Sequence, residues 1–105
     1  MRWINPRELQ ALQNTESTIL IVDIRETYET KICKIPSLHI PMAEIKFRCN
    51  EIPMEKILVI MCKSGKRAEA TANFMECELG FKDLYILDGG IMNWIAEIDT
   101  HLEIY

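Results

Sequence analysis

The sequence predicts an α/β fold: one domain with a mostly parallel central sheet and helices on both faces. Three observations lead there. Residues 18–24 (TILIVDI) and 56–61 (KILVIM) are apolar and β-branched almost throughout, the pattern of strands buried on both faces. Helical patterns alternate with strand patterns along the chain. The length of 105 residues, about half of them apolar and a quarter charged, suffices for one core but not two.

The elements follow in order. Asn5-Pro6 reads as an N-cap with proline at the first helical position, and Leu9 and Leu12 carry a short amphipathic helix to about Gln13. The 18–24 strand ends at Asp23 and Arg25, and residues 26–32 form a turn of helix. Residues 38–40 make a short strand between Pro36 and Pro41, and 42–47 a short helix. After the 56–61 strand, residues 62–66 form a loop. Residues 67–79 then read as a helix with Ala68, Ala72, Met75 and Leu79 on one face, stopped by Gly80 at the C′ position. Residues 84–87 form a further strand, Asp88-Gly89-Gly90 a turn, and 91–98 a last helix with Trp94. In parallel α/β sheets, sites lie beyond the carboxyl ends of the strands. Asp23 with Arg25, the segment 62–67, and 88–90 should therefore gather along one edge.

Composition narrows the function. A net charge of −4 argues against nucleic acid as the main partner. No apolar run reaches the roughly 18 residues of a membrane span. The opening MRWINPRELQ lacks the apolar stretch of a secretory signal, so a cytoplasmic location is the expectation. Cys33, Cys49, Cys62 and Cys77 are spread without a Cys-x-x-Cys pair, and neither His39 nor His101 completes a zinc set. They read as separate thiols; no metal or cofactor is expected.

Cys62 stands out. It ends a buried strand, opens a tight loop, and has Lys63, Lys66 and Arg67 around it in an acidic chain. Gly65 allows backbone conformations closed to other residues, so the loop can curl and turn several N–H groups inward as an anion nest. The following helix adds its positive N-terminal end. Cations, nest and helix all favour thiolate over thiol and make Cys62 a candidate nucleophile. The same nest would hold a persulfide or the oxyanions of a substrate. The alternative is a small buried hydrophobe beside solvated lysines. The other residues read more simply. Cys77 is expected in the core or half-buried, Cys49 is incidental, and Cys33 is packed unless it is a second thiol accepting sulfur from Cys62. His39 is packed or at an edge rather than a general base, Asp23 and Asp88 cap helices or fix loops with paired carboxylates as the alternative, and Phe74 and Trp94 pack in the core.

Four blocks, in order and over nearly the whole chain, resemble the rhodanese-like (sulfurtransferase) family: LIVDIRETYE at 20–29, HIPM at 39–42, VIMCKSGKRA at 59–68 and LGFKDLYILDGGIMNW at 79–94. The resemblance implies a five-stranded sheet in a domain spanning residues 1–105. It makes Cys62 the cysteine that carries a sulfane sulfur as a persulfide, with Lys63, Ser64, Gly65, Lys66 and Arg67 as the anion-binding loop. Asp23 corresponds to a residue supporting the site, and Arg25 and Glu29 to a buried structural pair. The six-residue loop 62–67 is that of sulfur-handling members; relatives acting on phosphate or arsenate carry seven. The family's Gly-His-Ile-Pro-Gly-Ala is replaced by CKIPSL at 33–38, one residue shorter, which affects the local turn. With KICKI and WIAEIDTHLEIY (94–105), the chain is most similar to rhodanese domains at the C-terminus of adenylyltransferases that activate sulfur-carrier proteins. The resemblance thus implies a small donor, thiosulfate or a persulfide, with cyanide, a thiol, a sulfur-carrier protein or an adenylyltransferase among acceptors and partners. A weakly catalytic delivery module for such a partner, a phosphatase or arsenate reductase on the same fold, and a catalytically silent regulatory domain are the alternatives.

Overall fold

The computed structural model describes all 105 residues. A five-stranded, fully parallel sheet runs β1 (Arg2–Ile4), β5 (Leu84–Leu87), β4 (Ile57–Met61), β2 (Ile19–Asp23), β3 (Leu38–His39) in spatial order. The helices are α1 (Pro6–Thr15), α2 (Thr27–Ile32), α3 (Ile45–Arg48, entered through a 3₁₀ turn Met42–Glu44), α4 (Lys66–Glu78) and α5 (Gly90–Glu97).

Alternation along β4 feeds both faces of the sheet. Leu58 and Ile60, followed by Cys62, enter a core with Val22, Ile24, Ile40, Ile45, Ala68, Ala72 and Met75. Val59 and Met61 enter the opposite core with Leu9, Ile21, Leu87, Ile91, Trp94 and Ile95. All four β4 side chains from Leu58 to Met61 are fully buried. Each contributes about 1.5–3 kcal/mol of apolar burial, which holds the strand end under Cys62 in place.

The helix signals act as read. Asn5 accepts from the Glu8 N–H at 2.8 Å while Glu8 accepts from the Asn5 N–H at 2.9 Å, a reciprocal cap with Pro6 in the first turn. Strand β1 escapes the pattern-based reading, because only Ile4 of its three residues is buried and no alternation shows. It is defined by its partner, pairing Trp3 with Ile86 at the sheet edge. The ends of β2, β4 and β5 lie side by side, and Asp23, Cys62 and the 88–90 turn follow them on one edge of the sheet.

Candidate active site

The segment from Cys62 to Arg67 curls into a ring between β4 and α4. Gly65 occupies the N-cap position of α4 at φ +106°, a conformation in which a side chain would be strained. That turn aims two backbone donors at one sulfur: the N–H of Gly65 lies 3.0 Å and that of Ala68 3.4 Å from Cys62 Sγ. The N–H groups of Lys63, Ser64, Lys66 and Arg67 make no protein hydrogen bond and are free to meet an anion. From behind, the start of α5 fastens the ring. Ile91 N–H donates to the Cys62 carbonyl at 2.9 Å and Met92 N–H to that of Lys63 at 3.2 Å. Trp3 rests against Gly65 from the edge strand. Cys62 itself is fully buried, and none of the surface cavities is lined by any residue of the ring.

A hydrogen-bonded chain of charges supports the ring. Asp23 and Arg25 form a buried pair, Oδ2 to Nη2 at 2.8 Å with Oδ1 and Oδ2 also accepting from Nε. Arg25 further donates to the Cys33 carbonyl at 2.9 Å and the Glu29 carbonyl at 3.3 Å. Burial opposes charge on Arg25, but its bonds to Asp23 and Tyr105 outweigh that and raise its pKa. The expected pairing of Arg25 with Glu29 is not what forms. Glu29 instead holds Arg67 in a two-pronged contact, 2.7 Å to Oε1 and 2.9 Å to Oε2. The two acids sit at different heights: Asp23 ends β2 directly beside Arg25, whereas Glu29 on α2 faces the first turn of α4. Arg67 is therefore already engaged by a carboxylate, and its remaining N–H donors are what it can turn toward a ligand.

Tyr105, beyond α5, was not singled out by the sequence reading. Its hydroxyl donates to Glu29 Oε2 at 2.7 Å and accepts from Arg25 Nη1 at 3.0 Å, bridging the two ion pairs. The Lys63 ammonium lies over its ring, 4.4 Å from the centroid. The two hydrogen bonds span 80 and 76 positions in sequence, so no local pattern announces them. The Arg67 fork, joined by Tyr105 and the Glu26 N–H and opposed by burial, brings the Glu29 carboxyl down to about 2 from its usual 4.5. A folded-state value below the unfolded one means stability present above about pH 4.5 and lost as pH falls toward 2. Acid unfolding should therefore separate wild type from Glu29→Gln. The wild type's advantage in denaturant titrations, about 2–3 kcal/mol at pH 7, should shrink steadily between pH 4.5 and 2.5.

The remaining residues take plainer places. Cys33 is buried, with Arg25 Nη1 3.8 Å from its sulfur, and Cys49 is half-buried against the α3 side of the core. Cys77 was expected in the core or half-buried but is exposed, because it lies on the face of α4 turned from Ala68, Ala72 and Met75. His39 is half-buried with Nε2 donating to the Arg25 carbonyl at 2.7 Å, which leaves it a structural role. Trp94 is buried, whereas Phe74 is half-buried and lines a surface groove with Met42, Ile45, Lys46, Ala70 and Thr71.

Fold and site together define an α/β protein with one cysteine seated in a backbone ring at the carboxyl edge of a parallel sheet, two N–H groups turned onto its sulfur. The family model for the rhodanese-like domain matches residues 5–97, and the chain belongs to that family. Among relatives, it is 40% identical over 87 residues to a sulfurtransferase of Allochromatium vinosum, covering 81% of this chain and 78% of that protein. It is 31% identical to a putative sulfur carrier protein, YrkF, of Bacillus subtilis, spanning 82% of this chain but only 46% of that protein. A probable adenylyltransferase/sulfurtransferase, MoeZ, of Mycobacterium tuberculosis is 30% identical over 97% of this chain and 26% of its own length. The similarity to sulfur-carrier adenylyltransferases noted from the sequence thus has a counterpart. A rhodanese-like domain protein of Staphylococcus aureus has the same fold, with a TM-score of 0.83, 29% identity and near-complete coverage of both chains (100% and 99%).

Proposed function

We propose that this chain is a sulfurtransferase that carries sulfur as a persulfide on Cys62. The observation that carries the reading is the ring itself: one sulfur meets two N–H groups, and four more are left free around it. Neutral N–H donors fixed around a point stabilise negative charge there without needing to reorganise. A persulfide places that charge one atom beyond Sγ, within reach of the free donors.

In the first half-reaction the Cys62 thiolate attacks the outer sulfur of thiosulfate. A bond forms from Sγ to that sulfur, the sulfur–sulfur bond of the donor breaks, and sulfite leaves with the electron pair. The free ring N–H groups, Lys66 and the unspent donors of Arg67 receive the sulfonate. In the second half-reaction an acceptor nucleophile, cyanide or a thiolate, attacks the terminal sulfur, and Cys62 leaves as thiolate. Because Cys62 is fully buried, donor access requires a local opening over its sulfur. Asp23, Arg25 and Glu29 act by holding Arg67 and the ring entrance in register.

Arg67→Ala should raise KM for thiosulfate by about tenfold and change turnover of a neutral persulfide donor less than threefold. Steady-state kinetics with both donors checks this; equal effects on the two would remove Arg67 from sulfonate binding. The proposal as a whole is tested by assaying thiosulfate-to-cyanide transfer beside hydrolysis of a phosphate ester. Cys62-dependent thiocyanate with no Cys62-dependent phosphate release is the result expected of a six-residue ring. The reverse would make the chain a phosphatase.

One observation favours delivery to a protein partner as a second reading. An apolar groove of about 300 Å³ between Met42, Ile45, Ala70 and Phe74 lies along α4, the helix that leaves the ring. Slow turnover with cyanide but fast transfer to a purified sulfur-carrier protein would establish that reading.

A further inference from the structure

We propose that Tyr105 is a positioning residue for the anion-binding ring, so that the segment after α5 sets how tightly the ring holds a donor. The inference rests on the sulfur-transfer reading for its kinetic consequences and on geometry for its cause. Tyr105 touches a member of each ion pair through its hydroxyl and the Lys63 ammonium through its ring. Its hydroxyl joins Arg25 of the Asp23–Arg25 pair to Glu29 of the Glu29–Arg67 pair. Its ring lies under the Lys63 ammonium, the first residue after Cys62.

Each contact constrains a different part of the ring. Glu29 Oε2 accepts from both Arg67 Nη2 and the Tyr105 hydroxyl, so the phenol fixes the carboxylate plane on which the guanidinium lies. With that plane fixed, the Arg67 guanidinium and its donors not used by Glu29 keep one orientation. Lys63 carries a long flexible stem, and the aromatic face confines it near the ring instead of leaving it to sweep through solvent. Arg25 supplies the anchor: it is fully buried and lies just beyond β2, so Tyr105 ties the ring's cations to a side chain held inside the fold. Without Tyr105 the charges remain, but their directions are no longer set, and binding an anion must order them first.

Two substitutions separate the hydroxyl from the ring. Tyr105→Phe keeps the aromatic face for Lys63 and removes the bridge, whereas Tyr105→Ala removes both. With thiosulfate, KM should rise about threefold in Tyr105→Phe and about tenfold in Tyr105→Ala, while kcat stays within twofold. Binding is also measured without chemistry, by calorimetric titration of thiosulfate into Cys62→Ser with and without each Tyr105 change. Kd should follow the same order. Partial rescue of the alanine defect by phenylalanine is a signature that general destabilisation would not give. Kd unchanged within twofold in both variants overturns the proposal, as does loss confined to kcat. If Kd shifts as expected but Cys62 never takes up sulfur, the positioning role of Tyr105 stands and the sulfur-transfer reading falls.

Discussion

Replacing Cys62 by serine is expected to reduce thiosulfate-to-cyanide transfer by at least about 10³-fold, to the uncatalysed level, with almost no change in melting temperature. The two halves of that expectation have separate causes. An oxygen cannot accept and release a sulfur atom as a persulfide under these conditions, so loss of the nucleophile stops both half-reactions. The fold barely notices, because serine fits the same volume and its oxygen can accept from the Gly65 and Ala68 N–H groups that now meet Sγ. Alanine fits too but leaves those buried donors unmet, so Cys62→Ala should be the less stable of the two by about 1 kcal/mol. Parallel kinetics and thermal melts on the three proteins check both halves.

Gly90→Ala is expected to be the most damaging single methyl group in the chain. Gly90 sits at φ +62°, and a Cβ there would run into the Lys63 carbonyl and lie 2.5 Å from the carbonyl oxygen of Cys62. These are backbone atoms of the ring, which cannot step aside without tearing the bonds from Ile91 and Met92 that fasten it. Strain in the left-handed region and displacement of the ring together should cost roughly 3 kcal/mol or more and lower the melting temperature by at least about 10 °C. Sulfur loading should fall with it. Gly80 is the control: its φ of +75° also favours glycine, but nothing lies within 4 Å of its would-be Cβ. Gly80→Ala should therefore cost only about 1 kcal/mol and leave sulfur loading intact. Similar melting points for the two variants would show that Gly90 is needed for its torsion alone and not for the close approach.

What could be read from the sequence was what is local. The apolar runs ending at Asp23 and Met61 declare buried strands, because both faces of a parallel sheet are covered and no alternation is needed. Cys62, Gly65 and the three cations lie within six residues, so their meeting around one sulfur follows from chain connectivity. The four strands of that reading became five only through the resemblance, since β1 has three residues with two of them exposed and depends on β5 for its existence. Pairings between distant side chains were the least legible. Glu29 finds Arg67 across 38 positions and Tyr105 finds Glu29 across 76, distances at which only the tertiary fold chooses the partner. The side chains of Arg25 and Glu29, closer in sequence, are not paired: Arg25 reaches only the Glu29 carbonyl, because the carboxylate of Asp23 is nearer still.

The central claim is that sulfur travels on Cys62, and Cys77 provides a control within the same chain. Cys77 is exposed, whereas Cys62 is fully buried, so indiscriminate sulfuration would mark Cys77 first. The decisive measurement is mass spectrometry of peptides after brief exposure to thiosulfate, before any acceptor is added. The account predicts a gain of about 32 Da, one sulfur atom, on the Cys62 peptide, removed by cyanide or a reducing thiol and absent from Cys62→Ser. Equal uptake by wild type and Cys62→Ser, or sulfur found only on Cys77, would contradict it.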